Sequence, residues 1–262
     1  MQPVIDIGAN LTHDSFDADR DDVIRRAIAA GVEHMILTGS SEKSSQEAAE
    51  LAGQRPKLFH ATAGVHPHNA ADYTDSVHAK LLALTSRPAV VAVGECGLDY
   101  YRDLSPRAQQ RAAFERQIGI AIDTGLPLFL HQRDALEDFL AMLRPAVSQL
   151  SRGVAHCFTG GIREMQTYLD MGLYIGVTGW ISDDRRGADL ADAVRHVPLD
   201  RVMIETDAPY LLPRSLTPKP KSRRNEPMYL REVLRAVAEA MDLSEEEVAS
   251  ATTANARRFF AI

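Results

Sequence analysis

Tryptophan occurs once and cysteine only twice in the 262 residues. Cys96 and Cys157 each lie inside an apolar stretch, so a disulfide-stapled secreted scaffold is excluded and a reducing, cytoplasmic setting is expected. No apolar run approaches the ~18 residues of a membrane span. The first ten residues carry no basic stretch followed by an apolar core, so neither export nor insertion is expected. An excess of positive charge is missing as well. Lys and Arg number 29 against 36 Asp and Glu, a net charge of −7, which rules out coating a polyanion by bulk charge. Any polyanion must be gripped locally.

What the chain has in quantity is apolar surface, 45% of residues against 25% charged, enough for a core of ordinary globular size. Eight short β-rich runs recur at 4–8, 35–38, 59–64, 90–94, 127–131, 153–158, 173–178 and 202–206. Apolar residues at helical spacing lie between most of them, such as Val23, Ala27 and Ile28, or Phe114, Ile118, Ala121 and Ile122. Ser105-Pro106 supplies a helix start, and Gly31, Gly125 and Gly172 stand where helices stop. Ser244-Glu245-Glu246-Glu247 reads as a capping box opening a last helix.

The runs are nearly continuous in apolar residues, as strands buried on both faces of a parallel sheet are. Eight of them predict an α/β fold of the (β/α)8 TIM-barrel type, occupying 1–262 as one domain. A doubly wound sheet shares the alternation, but its G-x-G-x-x-G is absent after the first strand, where Asp6-Ile7-Gly8-Ala9-Asn10 stands.

Polar side chains follow the apolar runs: Asn10, His66 and His68, Glu95 and Asp99, His131, His156, then Glu205 and Asp207. In a barrel those strand ends converge on the face that carries active sites. A lone histidine such as His131 reads equally as a packed core residue. Three successive runs ending in Glu95, His131 and His156 read instead as divalent-metal ligands.

The segments Gly64-Val65-His66-Pro67-His68, Gly94-Glu95-Cys96-Gly97-Leu98-Asp99, His131-Gln132-Arg133-Asp134, His156-Cys157-Phe158-Thr159-Gly160, Glu205-Thr206-Asp207-Ala208-Pro209-Tyr210 and Arg223-Arg224-Asn225-Glu226-Pro227 together resemble the TatD family of metal-dependent deoxyribonucleases. The likeness is greatest to its members described as 3′–5′ exonucleases on single-stranded DNA and RNA. It implies an amidohydrolase-like barrel and a metal-dependent exonuclease working on DNA or RNA, with a cellular task in DNA repair or the removal of damaged strands. It assigns the metal to Glu95, His131, His156 and Asp207, gives Asp207 a second role as base, and leaves His66 and His68 to contact phosphate or assist the leaving group. The wider amidohydrolases carry His-x-His at the end of the first strand. This chain has Asn10-Leu11-Thr12 there, or Gly8-Ala9-Asn10 if the register slips, which favours Mg²⁺, with Mn²⁺ as a substitute, over a caged Zn²⁺.

Arg133 could grip a phosphate, and Lys219, Lys221, Arg223 and Arg224 could guide a strand, although most charge runs are only solvated. Trp180 and Tyr210 could stack on a base or anchor a loop. The expected protein is a monomer with no membrane association. Two other readings stay open here: a barrel hydrolysing a small amide or lactone, since activated water serves carbonyls equally, and a silent module that binds nucleic acid without cleaving it.

Overall fold

In a computed structural model, which describes residues 2–183, 185 and 187–262, the eight apolar runs are strands. They are β1 (Val4–Ala9), β2 (Val32–Leu37), β3 (Phe59–Ala63), β4 (Val90–Asp99), β5 (Leu128–Arg133), β6 (Gly153–Ala155), β7 (Tyr174–Val177) and β8 (Val202–Ile204). Helices alternate with them: α1 (Arg20–Ala29), α2 (Glu42–Gln54), α3 (Asp75–Thr85), α4 (Arg107–Thr124), α5 (Leu136–Leu143), α6 (Ile162–Asp170) and α7 (Ala188–Val194). After β8 come α8 (Leu230–Met241) and the terminal α9 (Glu245–Phe260). The strands form one sheet in chain order, and each pair whose register is defined is parallel. The fold class is the (β/α)8 barrel. No helix among the described residues is long and apolar enough to cross a membrane.

The chain divides into two compact units. One consists of the residues up to Ile36 together with His156–Ile262, the other of Leu37–Ala155. In the second unit β3 to β6 pair successively, with Gly97 opposite His131 and Asp99 opposite Arg133. In the first unit β7 pairs β8, and Ala9 bridges to Ala208.

Local sequence accounts for the element ends. Ser244 and Glu247 form the expected capping box on α9, and Gly125 closes α4 at φ 70°, a left-handed conformation costly for residues with a Cβ. The start of α4 falls one residue later than expected. Pro106 is extended and stands at the cap, while the Ser105 hydroxyl instead donates to His68 O at 2.8 Å. On α1 the buried stripe is Val23, Ile24 and Ala27. Ile28, which the spacing grouped with it, turns about a quarter-circle away and is half exposed.

The main departure is β4, which continues to Asp99 rather than stopping at Gly94. Gly94 and Gly97 have φ of 139° and 144°, and a Cβ on either would overlap the carbonyl oxygen of Phe129 or His131. Only glycine permits that close approach to β5, so the ladder runs past the shift in register between Gly94 and Cys96. Glu95 and Asp99 are therefore both strand residues.

Candidate active site

In the Leu37–Ala155 unit, β3, β4 and β5 bring five titratable side chains together. The Glu95 carboxylate lies 3.1 Å from His131 Nδ1 and 3.4 Å from His66 Nε2. Asp99 Oδ2 lies 2.9 Å from His68 Nε2 and 3.3 Å from His131 Nε2. The His66 ring centroid is 4.1 Å from that of His68 and 4.3 Å from that of His131. One ligand atom from each of His66, Asp99 and His131 lies within 4.8 Å of the others, the spacing a shared cation needs.

Backbone bracing fixes this arrangement. The amide of Gln117 accepts from Val65 N and donates to Val65 O, holding the segment that leads into His66. Ser45 Oγ bonds the N–H and C=O of Gly64 at 3.0 Å each. Gln110 accepts from Asp99 N at 2.9 Å, and Arg102 N donates to Asp99 Oδ1 at 2.8 Å. Both glutamines are buried and belong to α4, so one helix positions groups on two strands.

The electrostatics call for a cation. Both ring nitrogens of His131 face carboxylates. Burial opposes charging this ring, yet the hydrogen bonds to Asp99 and Glu95 raise its pKa above the ordinary imidazole value. Burial likewise opposes ionisation of Asp99, but its bonds with His131 and His68 hold its pKa well below the usual carboxylate range. Two carboxylates converging on one ring concentrate negative charge, which a divalent ion can neutralise. His66 behaves differently, since burial lowers its pKa to about 3. With its charged form disfavoured by burial, this ring is suited to ligation. Asp99, which sequence reasoning named without a role, is the added member of the cluster.

The other unit holds His156, Glu205 and Asp207. Glu205 Oε2 lies 2.7 Å from His156 Nδ1, and Cys157 N donates to Glu205 Oε1 at 2.6 Å. The Glu205 and His156 side chains are almost wholly buried. A carboxylate on Nδ1 fixes the orientation and tautomer of the ring. Asn10 Nδ2 donates to Asp207 Oδ1 at 3.0 Å, and Asp207 has φ 53°, a left-handed turn that aspartate tolerates. Asn225 Nδ2 donates to Thr206 O at 2.9 Å, tying the Arg223–Pro227 segment to the end of β8.

Beneath that turn, Asp6 Oδ1 accepts from Thr206 N and Gly8 N, while the Thr206 hydroxyl bonds Oδ2 at 2.5 Å. Complete burial pushes the Asp6 pKa up to about 7, against the hydrogen bonds from Thr206 that lower it. A raised folded-state value means stability that is full below the ordinary carboxylate pKa and is lost as pH climbs through about 7. Asp6→Asn mimics the protonated acid and is expected to remove that loss, on the order of a few kcal/mol between about pH 4 and 8. Denaturant titrations across that range check it; parallel pH profiles for the two proteins would refute it.

The structure separates the expected phosphate-binding cations. Arg224 is committed within its own unit, to Asp19 at 2.7 and 2.8 Å, Glu226 at 2.9 Å and Ser15 O at 2.6 Å, with its guanidinium over Phe16. It locks a loop and is occupied. Lys219, Lys221 and Arg223 are exposed and make no ion pair among the described residues. Tyr210 is half exposed, edge-on to His13 at 5.6 Å.

Comparison with known proteins gives the family. Residues 5–261 match the family described as TatD related DNase. The 3′-5′ ssDNA/RNA exonuclease TatD of Salmonella typhimurium is 47% identical over 259 residues, covering 99% of both chains. The protein of the same name from Citrobacter koseri is 48% identical with the same coverage. Among solved structures, the TatD homolog YJJV from Escherichia coli superposes with a TM-score of 0.90 at 26% identity, covering 99% of this chain and 98% of that one. A TatD family hydrolase from Entamoeba histolytica gives 0.88 at 27% identity, with the same coverage.

Proposed function

This chain belongs to the TatD family of DNases, and from that premise we propose that it is a divalent-metal-dependent 3′–5′ exonuclease on single-stranded DNA and RNA. It acts as a single-domain monomer in the cytoplasm and takes Mg²⁺, with Mn²⁺ able to substitute. The observation that carries the reading is the gathering of His66, Asp99 and His131 within 4.8 Å beside a second carboxylate, Glu95. Two hard oxygen donors among imidazoles fit a divalent ion of this kind.

The ligands we assign are Glu95, His131, His156 and Asp207, joined by His66 and Asp99. A divalent ion held by these residues would supply Lewis acidity toward water and charge neutralisation toward the phosphoryl oxygens. The chain's own residues do the rest. Asp207 takes the proton of the attacking water, held by the Asn10 amide. Glu205 keeps the His156 ring in one tautomer. We assign His68, partly exposed and hydrogen-bonded to Asp99, to contact the phosphate and to donate a proton to the departing 3′ oxygen; Asp207 then releases its proton to solvent and His68 regains one from it. Arg133 holds phosphate, and Lys219, Lys221 and Arg223 steer the strand by charge.

The test is direct. Purified protein stripped of metal is expected to release no mononucleotides from a single-stranded oligonucleotide labelled at its 5′ end, and to shorten it from the 3′ end once Mg²⁺ or Mn²⁺ is restored. Shortening from the 5′ end, or release independent of divalent ions, would overturn the proposal. Hydrolysis of amide or lactone esters in place of the oligonucleotide would restore the small-substrate reading.

A further inference from the structure

Tyr100 and Tyr101 follow β4 as neighbours, yet their surroundings are opposite. The Tyr100 hydroxyl donates to Asp138 Oδ2 at 2.5 Å and accepts from Arg111 Nη1 at 3.1 Å, and the Arg107 guanidinium lies 4.2 Å from its ring centroid. Tyr101 is 58% exposed, and its one ring partner among the described residues is Arg133, whose guanidinium carbon lies 3.9 Å from the centroid. On the far side, Arg102 N is pinned to Asp99 Oδ1 at 2.8 Å. An aromatic ring is thus presented to solvent between an anchored tyrosine and an amide bonded to a carboxylate of the candidate metal cluster. Such a ring binds with little ordering cost.

Arg133 stands two residues after His131 on β5 and so shares its face, about 6.6 Å further along the strand. Its guanidinium forms no ion pair or hydrogen bond among the described residues, in contrast to Arg224. A half-buried, unpaired fork one step beyond a cluster that handles phosphate has the chemistry of a second phosphate's partner.

We infer that Tyr101 and Arg133 together form a nucleotide subsite, the ring stacking on the base and the guanidinium gripping the phosphate of the nucleotide immediately 5′ of the scissile bond. The inference rests on the exonuclease reading, because a strand cut from its 3′ end continues in the 5′ direction past the cleavage point. Stacking accepts every base through its π face, so this subsite gives grip without base preference and serves DNA and RNA alike.

The experiment compares KM and kcat for two oligonucleotides, one intact and one lacking the base at the penultimate 3′ position, on wild type, Tyr101→Ala and Tyr101→Phe. Removing the base is expected to raise the wild-type KM about tenfold. Tyr101→Ala raises KM for the intact strand by a similar factor and is then insensitive to the missing base. Tyr101→Phe, which keeps the ring, keeps the dependence on the base. Effects of Tyr101→Ala and base removal that multiply, or a fall in kcat at constant KM, overturn the subsite while leaving the exonuclease in place. A wild type that releases no nucleotide from either strand overturns the exonuclease reading and the subsite with it.

Discussion

Asp99→Asn is expected to lower kcat/KM for nucleotide release by about a thousandfold and to weaken Mn²⁺ binding measured by calorimetry. The substitution keeps the shape of the side chain, and the remaining oxygen can still accept from Arg102 N, so the turn after β4 is retained. What disappears is the negative charge between His68 Nε2 and His131 Nε2. That charge holds His131 above its ordinary imidazole value together with Glu95, and it offers the ion a hard oxygen. Without it the cluster has one carboxylate among three imidazoles, a poorer match for Mg²⁺. Full activity with unchanged Mn²⁺ affinity would remove Asp99 from the site and return the ligand set to the four residues read from the sequence. Recovery by raising the metal concentration would show that affinity is lost rather than the chemical step.

Asp99 also shows where the sequence was legible and where it was not. The strands were readable because parallel strands buried on both faces are runs of apolar residues, and each run stops at the polar group it delivers, as Leu128-Phe129-Leu130 does at His131. The extension of β4 was not readable. Glycines usually end a strand, and nothing local in Gly94 and Gly97 reveals that β5 lies close enough to exclude a Cβ. With the run ending at Gly94, Asp99 stands five residues beyond it and carries no assigned role. Arg224 failed for another reason. A long guanidinium side chain in a basic run looks the same whether it faces solvent or salt bridges, and Asp19, its main partner, is 205 positions away in the chain. The neutrality of His66 is likewise a property of its burial, which spacing does not encode.

Asp207→Asn is expected to lower kcat by 10²–10⁴-fold (a rough general range for loss of a positioned acid or base) with KM for the oligonucleotide nearly unchanged. Position 207 has φ 53°, a region that asparagine and aspartate both adopt readily, so the backbone is not strained by the change. The Asn10 amide donates to Oδ1, and an asparagine oxygen accepts the same bond. The backbone bonds from Asp207 N to Gly8 O and from Tyr210 N to Asp207 O do not involve the side chain at all. Fold and strand binding should therefore persist, and the variant loses the charge with which Asp207 takes a proton and holds the ion. Interactions made equally in the bound and transition states would appear in KM, whereas a proton acceptor acts only as the bond to water forms. A variant with normal kcat would assign Asp207 to the turn alone. A loss confined to KM would place it in strand binding. A normal kcat reached only at elevated Mn²⁺ would make it a ligand and no base.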